Sequence, residues 1–420
     1  MKQKLLQILY DMRTQPVIGL VTLIGTALSI FLIMTVMMMQ EVKTIPFAPE
    51  SNRGRIYYGL YFHQESMDGN QSRSGGMSLP RAQQLYGGLE GVEETSFFYN
   101  DLEDKNVKGL TDVLFSAKVR YTDNAFWRVF DHKLLAGRYY TPEEVSAHRS
   151  LAVVSEETAR RLFGSENPVG QHFDLDYNDF EVIGVVANTS LLASMGCGDI
   201  FAPLEAASTE DPNFGGTAAA LLAASGTTGE DLAGQVKARY SAADAEMAAD
   251  EMRAVYHGTP FGQEIITQGW MGSNTTPDPD AGRTDRLTIY IILLIVPAIN
   301  LSTMLHSRLR RRVSELGIRR AFGCTRRRII TDIVAENLIV TVAGGIIGLL
   351  LGVLFGLFYD GLFVSPAGEA VRPALSLLLN WRILVTAFGV CFILNLISAS
   401  VPAWQASRLH PAEAVNSSRL

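Results

Sequence analysis

The residue types able to do chemistry are present, but their spacing speaks against catalysis. Five histidines lie in the middle of the chain, His63, His132, His148, His172 and His257, at separations that match no metal-ligand pattern. Adjacent acids occur at Glu143–Glu144 and Glu156–Glu157. Neighbouring residues do not share a helix face, so these pairs read as solvated surface and not as a general acid facing its base. The HExxH and GxSxG signatures are missing, and the glycine-rich stretch 215–226 lacks the lysine of a GxxxxGK[ST] phosphate loop. The sequence Asn188-Thr189-Ser190 and the triplet starting at Asn274 fit a glycosylation acceptor but are common by chance. The expectation is a chain that is not an enzyme and holds no metal or cofactor.

Two sets with regular spacing remain, and both offer recognition, not reaction. The first is basic. Arg308, Arg310, Arg311, Arg312, Arg319, Arg320, Arg326, Arg327 and Arg328 crowd residues 306–332. Among them stand Glu315 and the apolar Leu316, Ile318, Ala321 and Phe322, punctuated by Gly317 and Gly323. Arginines alone would serve to fix membrane topology and attract anionic lipid; the ordered apolar and charged residues between them add a surface for docking. The second set is Gly344, Gly348, Gly352 and Gly356, each four residues from the next. Glycines at that period share one helix face and let another backbone come close. Two partners fit, a second copy of the chain or the second or fourth apolar span of the same chain.

The elements that position these sets are membrane spans. Val17–Met39 is an uncharged run of 23 residues, about 34 Å of helix against a hydrocarbon core of roughly 30 Å. It is too long for the apolar core of a cleaved signal, so it reads as an anchor. Leu287–Leu305, Asn337–Phe358 and Ile383–Val401 make three further spans. The bases of the N-terminal segment, of the Arg-rich loop and of the tail place both termini in the cytoplasm. Residues 41–286 are then outside. That segment has a net charge of −16 and the remainder +9, as expected of two compartments. Leu5, Leu6, Ile8, Leu9, Met12 and Pro16 follow a helical apolar period, suggesting an amphipathic helix on the inner surface. Within the spans the main polar groups are Asn300 and Asn395, too few for a substrate tunnel. Cys197, Cys324 and Cys391 fall in three different environments and cannot pair, and Cys197 is expected to be a small buried residue.

The outside segment reads as α+β. Strands are expected at Arg55–Phe62, Val92–Tyr99, Val113–Tyr121, Thr217–Ala224 and Glu251–Tyr256. Helices are expected from Ser78 to about Leu89 and over Gly229–Tyr240. This order is that of a ferredoxin-like lobe, about 41–122 and 207–268, interrupted by an inserted lobe over about 123–206. The insert carries a helix at Glu156–Phe163 and a strand at Phe180–Ala187, and 188–200 is irregular. Gly269–Thr284 reads as a flexible linker back to the membrane. The fold class is thus an α-helical membrane protein with four transmembrane helices plus an extracytoplasmic α+β domain.

Three segments resemble the MacB/FtsX superfamily of ABC-transporter permeases. They are AVVSEETARRLFGSENPVGQHFDLDYNDFEVIGVV at 152–186, SELGIRRAFGCTRRRII at 314–330 and VPAWQASRLHPAEAV at 401–415. The resemblance implies a permease subunit in a bacterial inner membrane that pairs with a second copy or a paralogue. ATP and Mg²⁺ would be held by a separate ATPase subunit, docked on Glu315, Leu316, Gly317, Ile318, Arg319, Arg320, Ala321 and Gly323. The complex would drive its periplasmic domains mechanically to expel amphiphilic cargo such as an antibiotic, a peptide or a lipoprotein. A periplasmic adaptor and an outer-membrane channel are candidate partners, and nucleic acid is not. The resemblance also admits a non-transporting role, switching a periplasmic hydrolase or a sensor kinase.

Overall fold

The computed structural model describes residues 16–41, 46–110, 114–164, 167–190, 193–204, 211–269 and 322–358, with isolated positions between 284 and 318 and between 385 and 393. The expected N-terminal amphipathic helix, the linker, and most of the second and fourth spans, including Asn300 and Asn395, lie outside the described residues. The chain divides into two compact units, Lys43–Arg283 with Asp360–Pro373, and the remainder.

The larger unit begins with strand β1 (Ile56–Gly59), β2 (Phe62–Ser66) and β3 (Ser72–Gly75). Helix α2 (Leu79–Tyr86) follows; α1 belongs to the other unit and is described below. Ser78 caps α2 through its hydroxyl, with Pro80 in the first turn. Next come β4 (Val92–Tyr99), β5 (Glu103–Lys108), β6 (Leu114–Thr122) and the short helix α3 (Phe126–Val129). Then β7 (Leu134–Gly137), α4 (Pro142–Ser146), β8 (Leu151–Ser155), α5 (Glu156–Phe163), β9 (His172–Leu175), β10 (Asn178–Val186) and β11 (Ile200–Pro203) complete the middle. The unit ends with β12 (Thr217–Ala223), α6 (Gly229–Met247), β13 (Met252–Ala254), β14 (Phe261–Gly262) and α7 (Gln263–Gly269).

The sheet β6-β4-β12-β1-β14 is the floor of the first lobe. All seven residues of β12 are buried, because the sheet is covered on both faces. Ala219, Leu221 and Ala223 join Leu85 and Tyr86 of α2 and Leu232, Val236 and Tyr240 of α6 in one core. Ala218, Ala220 and Leu222 join Phe126 and Trp127 of α3, with Phe130 and Phe201, in the other.

The second lobe is a closed ring of six strands. β5 pairs β6, β6 pairs β11, β11 pairs β8, β8 pairs β10, β10 pairs β9, and β9 returns to β5. Closure leaves this ring without a free edge. Val107, Phe115, Val119, Val154, Phe173, Leu175, Val182 and Ile200 fill it together with Leu162 and Phe163 of α5. The β9–β10 hairpin turns at Asp176 and Tyr177, both at positive φ (51° and 68°), the twist that a two-residue hairpin turn requires.

Four expectations are corrected. Arg55–Phe62 is not one strand: it holds the whole of β1, a break at Leu60 and Tyr61, and the first residue of β2; Gly59 lies against the Tyr86 ring, where a Cβ would collide. Helix α6 runs past Tyr240 to Met247, because Ala242, Ala243, Glu246 and Met247 sustain it. The strand expected at 251–256 leaves the main sheet and joins β2 and β3 in a separate three-stranded sheet. The second lobe also takes β5 and β6 from before residue 123. Only Val107 of β5 is buried, so its sequence, EDKNVK, conceals a strand.

In the smaller unit, helix α1 (Pro16–Glu41) packs on helix α8 (Arg326–Phe358). Among the described residues no helix is long and apolar enough to cross a membrane. The described side chains cover only the middle of α1.

Candidate functional site

The basic loop is described at its C-terminal end. Ile318 is helical, and the Phe322 N–H donates to its carbonyl at 3.1 Å. Gly323 follows at φ +90°, with open space where a Cβ would stand. This is the left-handed stop that ends helices and favours glycine. The Thr325 carbonyl then accepts from the N–H groups of Arg328 and Ile329, opening α8. Ile318 and Phe322, four residues apart and joined by their backbone hydrogen bond, are 50% and 88% exposed. Arg327 and Arg328 are also exposed. Glu315, Leu316, Gly317, Arg319, Arg320 and Ala321 lie outside the described residues.

The glycine set forms a seam. A Cβ on Gly344 would stand 2.9 Å from the Thr26 side chain, one on Gly348 2.6 Å from the Ala27 carbonyl oxygen, and one on Gly352 2.7 Å from Met34 Sδ. On the facing helix Thr26, Ala27, Ile30 and Met34 are buried, and Phe31 meets Phe355 edge-to-face at 5.5 Å. Among the described residues the partner of this face is therefore α1; most of the second and fourth spans lies outside the described residues. A small-residue stripe marks a face for close packing but does not name what fills it. Gly356 lies in α8, and nothing is described of its surroundings.

Sequence spacing missed a third constellation, which is polar and buried in the larger unit. Glu50, Arg53 and Arg120 are 0%, 3% and 0% exposed; Glu50 and Arg120 converge on the loop around Met195, and Arg53 backs Glu50. No motif marks them, since a buried ion pair has the same composition as a surface one. The irregularity of 188–200 was the available signal. Of the histidines, His63 bonds Ser74 Oγ through Nδ1 and stacks edge-on with His257 at 4.9 Å, while His132 is enclosed by rings of Phe126, Trp127 and Phe201. Among the described residues no group of three His, Cys, Asp or Glu side chains could hold a metal ion. Cys197 is buried, which pushes its thiol pKa up.

Residues 20–255 match the MacB-like periplasmic core domain and residues 287–411 the FtsX-like permease C-terminal domain. The chain belongs to the MacB/FtsX family of ABC-transporter permeases. It is a membrane permease component with an extracytoplasmic α+β domain. Among curated relatives it is 23% identical to the uncharacterised ABC transporter permease YknZ of Bacillus subtilis, over 80% of this chain and 83% of that one. It is 25% identical to the macrolide export ATP-binding/permease protein MacB of Bdellovibrio bacteriovorus, over 66% of this chain, and spans only 40% of that protein. It is 24% identical to the pyoverdine export ATP-binding/permease protein PvdT of Pseudomonas aeruginosa, over 72% of this chain and 42% of the relative. The solved periplasmic region of MacB from Actinobacillus actinomycetemcomitans is 14% identical over 50% of this chain and 94% of that structure, with a TM-score of 0.35.

Proposed function

We propose that this MacB/FtsX-family chain is the permease subunit of an exporter-type complex whose ATPase is a separate subunit, docked on the basic loop. The observation that carries the reading is the exposed apolar pair Ile318 and Phe322, joined by a backbone hydrogen bond and followed by Gly323 at positive φ and exposed Arg327 and Arg328. An exposed apolar pair followed by charge suits a groove in a folded partner. Lipid attraction alone would need the charges but not the apolar pair. The uncharged run Val17–Met39 supports a first membrane span by its length in the sequence; the four-span plan, with both termini cytoplasmic, follows the distribution of charge. The partner ATPase would hold ATP and Mg²⁺. The two units of the permease would carry the resulting movement outward, expelling an amphiphilic cargo already outside the membrane.

The test is co-purification from native membranes in mild detergent, with ATP hydrolysis measured on the complex. A P-loop ATPase in roughly equal amount is expected, and its loss on Glu315→Ala combined with Arg319→Ala, or on Phe322→Asp. Undiminished association and transport in both variants would sink the docking assignment. A chain that brings no ATPase through several detergents would favour a freestanding signalling module.

A further inference from the structure

The loop 194–197 is held between a buried anion and a buried cation. Oε1 of Glu50 accepts the N–H groups of Met195 and Gly196, each at 2.9 Å. Oε2 accepts Arg53 Nε at 2.7 Å. From the other side, Arg120 Nε donates to the Cys197 carbonyl and Nη2 to the Ser194 carbonyl, both at 2.8 Å. Arg120 Nη1 reaches the carbonyls of Tyr99 and Asn100, at the end of β4. Gly196 permits the approach, since a Cβ there would stand 2.9 Å from Pro49 Cγ and 3.3 Å from Glu50 Cγ.

Both ends of this arrangement lead somewhere. Glu50 follows Glu41, the last residue of α1, by nine positions. The incoming segment is also tied to the turn between α3 and β7 by the Asp131 N–H to the Pro49 carbonyl (2.9 Å) and by the Ser51 hydroxyl to Asp131 Oδ2 (2.5 Å). On the outgoing side the loop runs directly into Asp199, which exchanges backbone bonds with Lys118 and Ser155, and then into β11, the strand that joins β6 to β8 and closes the ring. Buried charges that are fully hydrogen-bonded hold one geometry, because any displacement strands a charge in low dielectric.

We propose that Glu50 and Arg120, gripping the loop 194–197, form a rigid joint that hands movement of the chain leaving α1 to the six-stranded lobe. The joint rests on the permease reading, and Glu50 acts in it as a positioning residue. It requires acceptor oxygens at position 50 and close approach at position 196, not the charge as such.

The experiment uses the full chain with its ATPase in lipid nanodiscs. Fluorophores are placed at Tyr177, 90% exposed on the β9–β10 turn, and at exposed Lys237 on α6. Energy transfer between them is compared before and after ATP is added. In Glu50→Leu combined with Arg53→Met the ion pair is replaced by apolar side chains of similar size, which commonly preserves folding, but the grip on Met195 and Gly196 is gone. The ATP-dependent change is expected to shrink about threefold or more, with ATP hydrolysis kept and the melting temperature lowered by the two N–H groups left without an acceptor. Glu50→Gln combined with Arg53→Met keeps an acceptor for both N–H groups without setting an amide NH2 against the Arg53 guanidinium, and is expected to keep the change. Gly196→Ala forces the loop off Pro49 and is expected to reduce it, deciding the matter should the Glu50→Leu double variant not fold. Full transmission in the Glu50→Leu double variant or in Gly196→Ala overturns the joint, and so does a wild-type complex that hydrolyses ATP with no change in transfer. A wild-type chain that binds no ATPase overturns the permease reading and the joint with it.

Discussion

His132 makes the electrostatics of the larger unit testable at a single residue. Its ring lies 5.6 Å from Phe126, 5.3 Å from Trp127 and 4.9 Å from Phe201, centroid to centroid. Burial drives its pKa down to about 3, the Arg120 cation adds to the shift, and the Gly196 backbone only partly opposes it. Between about pH 3 and 6.5 the unfolded chain carries a proton here that the folded chain refuses, so this group's stability contribution is complete above 6.5 and drains away as pH falls. Asp123 works in the opposite direction. Burial raises it to about 6 although Phe97 N–H, Ser96 hydroxyl and Phe126 N–H all donate to it. The folded state therefore keeps a proton that the unfolded state releases, which favours folding on the acid side. The two largely cancel in the wild type. His132→Phe removes one of them, and moving from about pH 7.5 to 5 should then favour the variant over the wild type by about 2 kcal/mol. Chemical unfolding of the purified chain at both values measures this, and an unchanged difference between the two proteins would refute it. At this scale the sequence was a partial guide. It told that Cys197 is buried. It could not distinguish Glu50 and Arg120 from the other charged residues, because their burial depends on contacts with residues 145 and 77 positions away.

At the scale of elements, the α1–α8 seam has positions of unequal tolerance. A Cβ on Gly348 would meet the backbone oxygen of Ala27, which cannot yield without moving the helix. A Cβ on Gly352 would meet the end of the Met34 side chain, which can swing aside. Gly348→Val is expected to lower the melting temperature in detergent and shift the protein toward aggregate. Gly352→Ala should be tolerated or gain, since alanine is the better helix former by ~1 kcal/mol. The reverse order would contradict the packing described. Legibility differed between elements for a physical reason. β4, β6 and β12 were evident because their burial selects aromatic and apolar residues, and α2 because its cap and proline are local. β5 was hidden because its hydrogen bonds, not its side chains, hold it between β6 and β9. The closure of the ring through β11 is a long-range pairing that no local pattern records.

At the scale of the molecule, the split of charge between 41–286 and the remainder organises everything else. Arginines in short loops resist crossing a membrane, whereas a large acidic segment is carried across with little regard to its charge. The larger unit agrees with such a segment: it folds around two cores of its own, covered on both faces of one sheet. The orientation this requires can be tested with two exposed aromatic residues from opposite ends of the proposed layout. Tyr177 is 90% exposed on the hairpin turn of the outer domain and Phe322 is 88% exposed beside the arginine cluster. With Cys324 and Cys391 replaced by serine, Tyr177→Cys in intact spheroplasts should react with a membrane-impermeant maleimide. Phe322→Cys should react only after the membrane is opened. Cys197 is too buried to compete. Labelling of both positions in closed spheroplasts would mean that the Arg-rich loop is not cytoplasmic. The ATPase could not then dock there, and the exposed Ile318 and Phe322 pair would require an external partner instead.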